Sequence, residues 1–289
     1  MSQFRSRFFS LSLLCIALLA MHSTQAQSSW KASVGAQMSF AELQADNDDL
    51  NTNMEFGGGL LLGVSYGVNE NWSIHTGVGL SYLRTSNSFS SYQDALNATD
   101  IENEDFEFRY RLEGYSEEQR SALLSIPVSV QYESSGAQTR FYSKVGASVN
   151  LFLGASSQGE ADQLTTSGYF ERFNAELTAP RFAGFGTFND IEFSESDIDI
   201  KNSFNAFVEI GIKENVGSGW MYFGVFAEYG LNNLMENNNT SMIEYNQNTP
   251  LDFINNSSLN ASNQISGNAL FDKVMLNMAG LRIRYEFGL

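Results

Sequence analysis

The sequence predicts an all-β chain: an eight-stranded antiparallel up-and-down transmembrane β-barrel with long extracellular loops. Three observations predict it. Apolar residues recur at every second position in eight stretches, the positions between them are mostly Gly, Ser and other small or polar residues, and short and long connections alternate along the chain. In the first stretch Trp30, Ala32, Val34, Ala36, Met38 and Phe40 share one parity, while Lys31, Ser33, Gly35, Gln37 and Ser39 share the other. A water-facing sheet would carry Lys and Glu on its second face. An apolar outside around a small-residue inside is the inversion expected of a strand whose solvent is lipid.

Ahead of that strand, Arg5 and Arg7, an apolar run from Leu11 to Ala20 and the small-residue end Thr24-Gln25-Ala26 read as a secretory signal. Cleavage after Ala26 leaves residues 27–289 as one barrel domain. The run is too short for a spanning helix, and no later stretch reaches the ~18 apolar residues that one requires. Cys15, the one cysteine, sits inside the run behind Leu13 and Leu14, where a lipoprotein signal has small residues. The mature chain then has no disulfide, which suits a hydrogen-bonded barrel better than a small secreted domain. A formal charge of −17, made more negative by loss of Arg5 and Arg7, argues against a nucleic-acid partner.

The second strand carries Met54, Phe56, Gly58, Leu60, Leu62, Val64 and Tyr66, and the third Trp72, Ile74, Thr76, Val78, Leu80 and Tyr82. Only 67–71 lies between them. The fourth, with Leu124, Ile126, Val128, Val130 and Tyr132, turns through 134–138 into the fifth, with Phe141, Val145, Ala147, Val149 and Leu151. Phe204, Ala206, Val208, Ile210 and Ile212 mark the sixth; after 214–219 come Met221, Phe223, Val225, Ala227, Tyr229 and Leu231 of the seventh. Ala279, Leu281, Ile283, Tyr285 and Phe287 form the eighth. The other connections, 43–53, 87–121, 155–200 and 235–271, are long. This asymmetry is that of an outer-membrane barrel with periplasmic turns, external loops and both termini in the periplasm. A soluble periplasmic ligand-binding barrel also alternates, but the one-sided loops, the aromatics near strand ends and the scarcity of strand charge favour the membrane. Pro127 interrupts a strand and suggests a bulge there. Val274, Leu276 and Met278 are out of phase with Leu281 and Ile283, which suggests another near Gly280.

Leu124-Ser125-Ile126-Pro127-Val128-Ser129-Val130-Gln131-Tyr132 and Tyr229-Gly230-Leu231-Asn232-Asn233-Leu234 resemble segments of the PorT-like outer-membrane β-barrel proteins typical of Bacteroidetes. The resemblance spans the strands and leaves the long loops unmatched. It implies an outer-membrane barrel and a link to type IX secretion, with which one member is associated.

With the apolar parity turned to lipid, Glu55, His75, Lys144, Glu209, Glu228, Arg282, Arg284 and Glu286 face inward. Eight strands leave room only for side chains, so these charges are expected to pair as a lumen network that sets register; a gated path for ions or small solutes is the alternative. His75 is the one histidine of the mature chain, and an inward mid-strand position makes it a packing residue ahead of a catalytic one. No enzyme, cofactor or defined metal site is expected.

Acids gather in the loops: Asp46, Asp48 and Asp49; Glu102, Glu104, Asp105 and Glu107; Glu192, Glu195, Asp197 and Asp199. They read first as solvated loop acids and second as weak ligands for Ca²⁺ or Mg²⁺. Phe106, Phe108, Tyr110 and Leu112 alternate with Glu107, Arg109 and Arg111, as do Ile191, Phe193, Ile198 and Ile200 with acids, so a hairpin rim can rise above the bilayer and take a partner by edge addition. Glu117-Glu118-Gln119-Arg120 suggests a short helical turn, and the Asn- and Ser-rich fourth loop suggests flexibility. The expected whole is a monomeric barrel among outer-membrane lipid and lipopolysaccharide, its loops meeting an envelope or secretion-complex protein.

Overall fold

The computed structural model describes residues 30–45, 50–235, 239–271 and 273–289. The segment read as a secretory signal, with Cys15, and the Asp46, Asp48 and Asp49 cluster lie outside the described residues. Eight long strands form the ring: β1 (Trp30–Ala45), β2 (Glu55–Gly67), β3 (Trp72–Thr99), β4 (Asp105–Glu133), β5 (Thr139–Phe170), β6 (Ser203–Val216), β7 (Gly219–Gly230) and β8 (Val274–Gly288). Each pairs antiparallel with its neighbours in sequence. β8 returns to β1 through Lys31↔Gly288 to Ala45↔Val274, so the ring has no free edge.

Alternation decides which way each side chain points. Outward stand Val34, Met38, Leu60, Leu62, Val128, Val145, Val208, Ile210, Leu281 and Ile283, all exposed, with Leu60 at 68%. Aromatic pairs border this band. Trp30 against Tyr66 and Trp72 against Tyr132, each at 5.1 Å between ring centroids, lie toward the short turns, and Phe40 against Phe56 at 6.2 Å toward the long loops. From Trp30 to Phe40 a tilted strand climbs about 25 Å, the height of the apolar band of such barrels. The short connections are tight for local reasons. Asn69 Oδ1 accepts the amides of Asn71 and Trp72, each at 2.9 Å, and Gly217 takes the left-handed turn between β6 and β7 at φ 65°.

Three sequence expectations are corrected by the ladders. Pro127 makes no bulge; the β3–β4 ladder is interrupted between Thr76↔Val128 and Gly79↔Ser125 with its register kept, and Thr76 Oγ1 donates to the Pro127 carbonyl at 2.9 Å. The bulge lies a turn further up, where Ala122↔Gly154 is followed by Leu123↔Phe152 and Leu153 is left over. β8 has no bulge at Gly280 either, since its registers with β1 and β7 run straight through. Val274, Leu276 and Met278 face inward like Arg282 and Arg284, because the interior turns from polar to apolar along the strand. Finally, Glu117-Glu118-Gln119-Arg120 is continuous β4, paired with Thr85 to Asn87 and Arg84.

The connection 87–121 is therefore almost all strand. β3, β4 and β5 are 28, 29 and 32 residues long and continue past the band as a three-stranded sheet, turning only at Asp100–Glu104. Gly186–Glu192 and two shorter strands add to its β5 edge, and Leu50–Asn53 pairs with β3. Across Ser90, Gly114 and Asp162 the buried parity of all three strands switches. Gly114 has φ +60°, and a Cβ there would stand 2.0 Å from the Asp162 carboxylate, so glycine is required. Leu60 lies opposite Ala36 halfway up the band. Leu60→Arg is expected to lower stability by about 2–4 kcal/mol in urea titrations of the protein folded into liposomes; Ile101→Arg, at the distal turn, should shift it by no more than about 0.5 kcal/mol.

Candidate functional site

Two groups of side chains fill the ring. Near the short turns, Glu286 accepts from Lys31 Nζ at 3.2 Å and from Ser65 Oγ at 3.0 Å. The Tyr222 hydroxyl lies 2.9 Å from Glu286 Oε1 and 3.0 Å from Glu133 Oε1, and can donate to one of them. Lys213 pairs with Glu133, which also accepts from Gln131 Nε2 at 2.7 Å. Arg284 Nη2 donates to Gln131 Oε1 at 2.9 Å and its guanidinium lies 4.1 Å over the Tyr222 ring.

Higher up, Glu209 Oε2 meets Arg282 Nη1 at 2.7 Å and Lys144 Nζ at 3.9 Å, while Glu209 Oε1 accepts from Tyr142 at 2.8 Å. Arg282 Nη2 also donates to Gln37 Oε1 at 2.7 Å and reaches Glu228 at 3.4 Å. Lys144, Glu209, Glu228 and Arg282 thus come together, and Arg284 and Glu286 belong to the lower group. Two residues singled out with them join neither. His75 Nε2 lies 2.8 Å from Ser73 Oγ, and Glu55 accepts from Ser86 Oγ at 3.1 Å above the band. Sequence reading passed over Lys31, Gln37, Glu133, Tyr142, Lys213 and Tyr222, although inward parity extended to the strand ends would have found them. A cavity of about 70 Å³ beside Lys144, Glu228 and Arg284 has room for a few waters and none for a solute.

Toward the long loops the interior is apolar and capped. Leu43, Leu83, Leu123, Phe226, Leu276 and Met278 meet Leu234, Leu259 and Phe271 of the fourth loop, whose described residues are packed and not the flexible coil its composition suggests. Buried carboxylates hold it. Glu117 accepts from Tyr115 at 2.9 Å, Gln119 Nε2 at 3.0 Å, Ser257 Oγ at 2.6 Å and the Ser258 amide at 2.8 Å. Asp94 likewise takes Ser241 Oγ at 2.9 Å and the Gln264 amide at 2.8 Å. Tyr115 lies beyond the membrane band; burial first, and then the Glu117 carboxylate, push its phenol well above its usual range, so it stays a donor. Loop Asn and Ser residues supply the donors and acceptors that let an irregular backbone be buried.

Several of the exposed acids have individual partners: Glu104 with Arg172 at 3.1 Å, Glu107 with Arg109 at 2.5 Å, Asp105 with Thr99 at 2.9 Å and Glu195 with Ser156 at 2.6 Å. Among the described residues no three His, Cys, Asp or Glu side chains converge as a metal site would require.

Residues 11–177 match the family model of the outer membrane protein beta-barrel domain. The chain belongs to that family. The outer membrane is thereby its location, and the exposed band of the ring is its lipid-facing surface. Among solved structures this outer-membrane barrel is similar to the attachment invasion locus protein Ail of Yersinia pestis, at 11% identity and a TM-score of 0.30 over 89% of this chain and 98% of that one. It is similar to Neisserial surface protein A, at 12% identity and 0.34 over 89% and 97%. It is similar also to OprG of Pseudomonas aeruginosa, at 9% identity and 0.37 over 92% and 100%. No curated protein matches the chain.

Two substitutions separate the ring from its cap. Glu209→Ala leaves Lys144 without its carboxylate and Arg282 with Glu228 alone, and is expected to cost about 3–5 kcal/mol in urea unfolding. Glu117→Ala should leave unfolding of the ring nearly unchanged while proteolysis within 239–271 rises at least tenfold, because Ser257 and Ser258 lose their acceptor.

Proposed function

We propose that this barrel is a non-enzymatic surface platform: the ring anchors it with a closed lumen, and the sheet projecting at the long-loop end binds a protein partner of the envelope or of a secretion complex. The observation that carries this reading is the extension itself. Three strands of about thirty residues, far longer than the 9–11 that cross a bilayer, are braced by a packed loop and present a stable surface. Exposed Phe173 and Phe182 with the adjoining Arg172 and Arg181 near its tip have the composition of interface anchors.

In this reading the signal is removed after Ala26, the short turns and both termini lie in the periplasm, and the long-loop end faces outward. The Leu-x-Ile-Pro segment around Pro127 supports a PorT-like role, with a type IX secretion component as the partner class. His75, enclosed in the wall beside Ser73, supports the absence of hydrolytic chemistry. Two measurements test the proposal. Planar-bilayer recordings should show no steady conductance of porin size, and a stable open pore would overturn the closed-lumen half. Pull-down from cross-linked envelopes should return one reproducible partner with the unaltered chain and at least tenfold less with Phe173→Ser/Phe182→Ser; equal recovery would overturn the platform half.

A further inference from the structure

Arg284 stands apart from the other lysines and arginines of the lumen. It is 6% exposed, so the ring encloses its guanidinium. Nη2 donates to the neutral Gln131, the Tyr222 ring lies against the guanidinium plane, and Nε has no hydrogen-bond partner. Among the described residues Arg284 is in no ion pair, because the carboxylates of the lower group are taken: Glu286 by Lys31, and Glu133 by Lys213 and Arg140. A guanidinium removed from water without a counter-charge is among the costliest groups an interior can hold.

The same side chain lines the cavity of about 70 Å³ within the ring. Lys144 and Arg282 line it too, against one carboxylate, Glu228. Glu209 is the second carboxylate in reach of these cations, and it is already shared, 2.7 Å from Arg282 and 3.9 Å from Lys144. Glu228 meets Arg282 at 3.4 Å and accepts from Ser148 Oγ at 3.4 Å. Lys144, Arg282 and Arg284 therefore stand against Glu209 and Glu228, and one positive charge is left over. Ser33 and Ser129 add hydroxyl donors to the lining. The volume admits no organic ligand, but a monatomic anion takes up about the room of one water, ~30 Å³. We propose that the cavity holds one chloride ion, with Arg284 and Lys144 as its charged partners and serine hydroxyls completing its shell. The ion neutralises the surplus charge and joins β8 to β5 across the lumen. This site depends on the ring alone, whichever way the barrel faces and whatever its loops bind.

The test is urea unfolding of the protein in liposomes, with gluconate replacing chloride at constant ionic strength. The unfolding constant should fall about tenfold for each tenfold rise in chloride above the dissociation constant, because one ion is released on unfolding. Bromide should substitute for chloride, and gluconate, too large for the cavity, should not. Arg284→Gln should remove the dependence, Lys144→Gln should reduce it, and Arg111→Gln, on the exposed outer face of the extended sheet, should leave it unchanged. Crystals grown in bromide should give an anomalous peak in the cavity beside Arg284 and Lys144, a reading that needs no variant to fold. Stability indifferent to chloride, a dependence that survives Arg284→Gln, or bromide found at the protein surface alone would overturn the proposal.

Discussion

A strand that crosses hydrocarbon must have both of its edges paired, because an amide or carbonyl left without a partner there has no water to turn to. Closure of β8 onto β1 meets that demand, and the rest of the architecture follows from it. An antiparallel ring of eight strands fixes alternate side chains outside and inside and leaves an interior the width of its own side chains. Lipid selects Leu, Val and Ile for one parity. Crowding selects Gly and Ser for much of the other, as at Gly211, where a Cβ would stand 2.1 Å from the Phe223 carbonyl.

What remains inside has to be self-sufficient. Charges in the wall are tolerated only as pairs and hydrogen-bonded groups, since each ion removed from water costs several kcal/mol that only well-placed partners return. The interior therefore contains groupings centred on Glu286 with Glu133 and on Glu209, each spanning several strands, with Arg284 Nε left without a hydrogen-bond partner. Such groupings tie the strands in one register, because a slip by one residue would turn Arg282 and Glu209 toward lipid. At the top of the ring the need is different: an apolar interior has to be covered, and the fourth loop covers it. Its Asn and Ser residues are there to satisfy buried backbone and not to remain in solvent.

The ring was legible in the sequence because lipid and lumen impose a strict period of two on it. Trp30 to Phe40 already distinguishes the two faces, and the tight turns at 67–71, 134–138 and 214–219 place its short-turn end. Legibility fails where one parity ceases to mean one face. At Gly114 and at Leu153 the buried parity changes, so residues that continue a strand look like loop. In β8 the inward parity passes from Arg282 to Val274, and a change of interior polarity imitates a bulge. Lys213, Glu133 and Tyr222 do carry the inward parity; what the sequence conceals is their grouping, since Lys213 and Tyr222 face each other across the β6–β7 turn but meet Glu133 from β4. The cap is the extreme case, since a run rich in Asn and Ser has the same composition whether it is solvated or buried against Glu117 and Asp94.

The inversion of faces is the claim on which everything else rests, and the chain is suited to a direct measurement of it because its one cysteine, Cys15, precedes the first strand. Single cysteines placed in turn at positions 32 to 39 of β1, in protein reconstituted into liposomes, can be challenged with a maleimide confined to the bilayer and with a small water-soluble one. Even positions should react with the bilayer reagent and odd positions with neither, giving a period of two along the strand. Reaction of the odd positions with the water-soluble reagent, or loss of the alternation, would contradict a closed barrel with lipid outside and a packed lumen within.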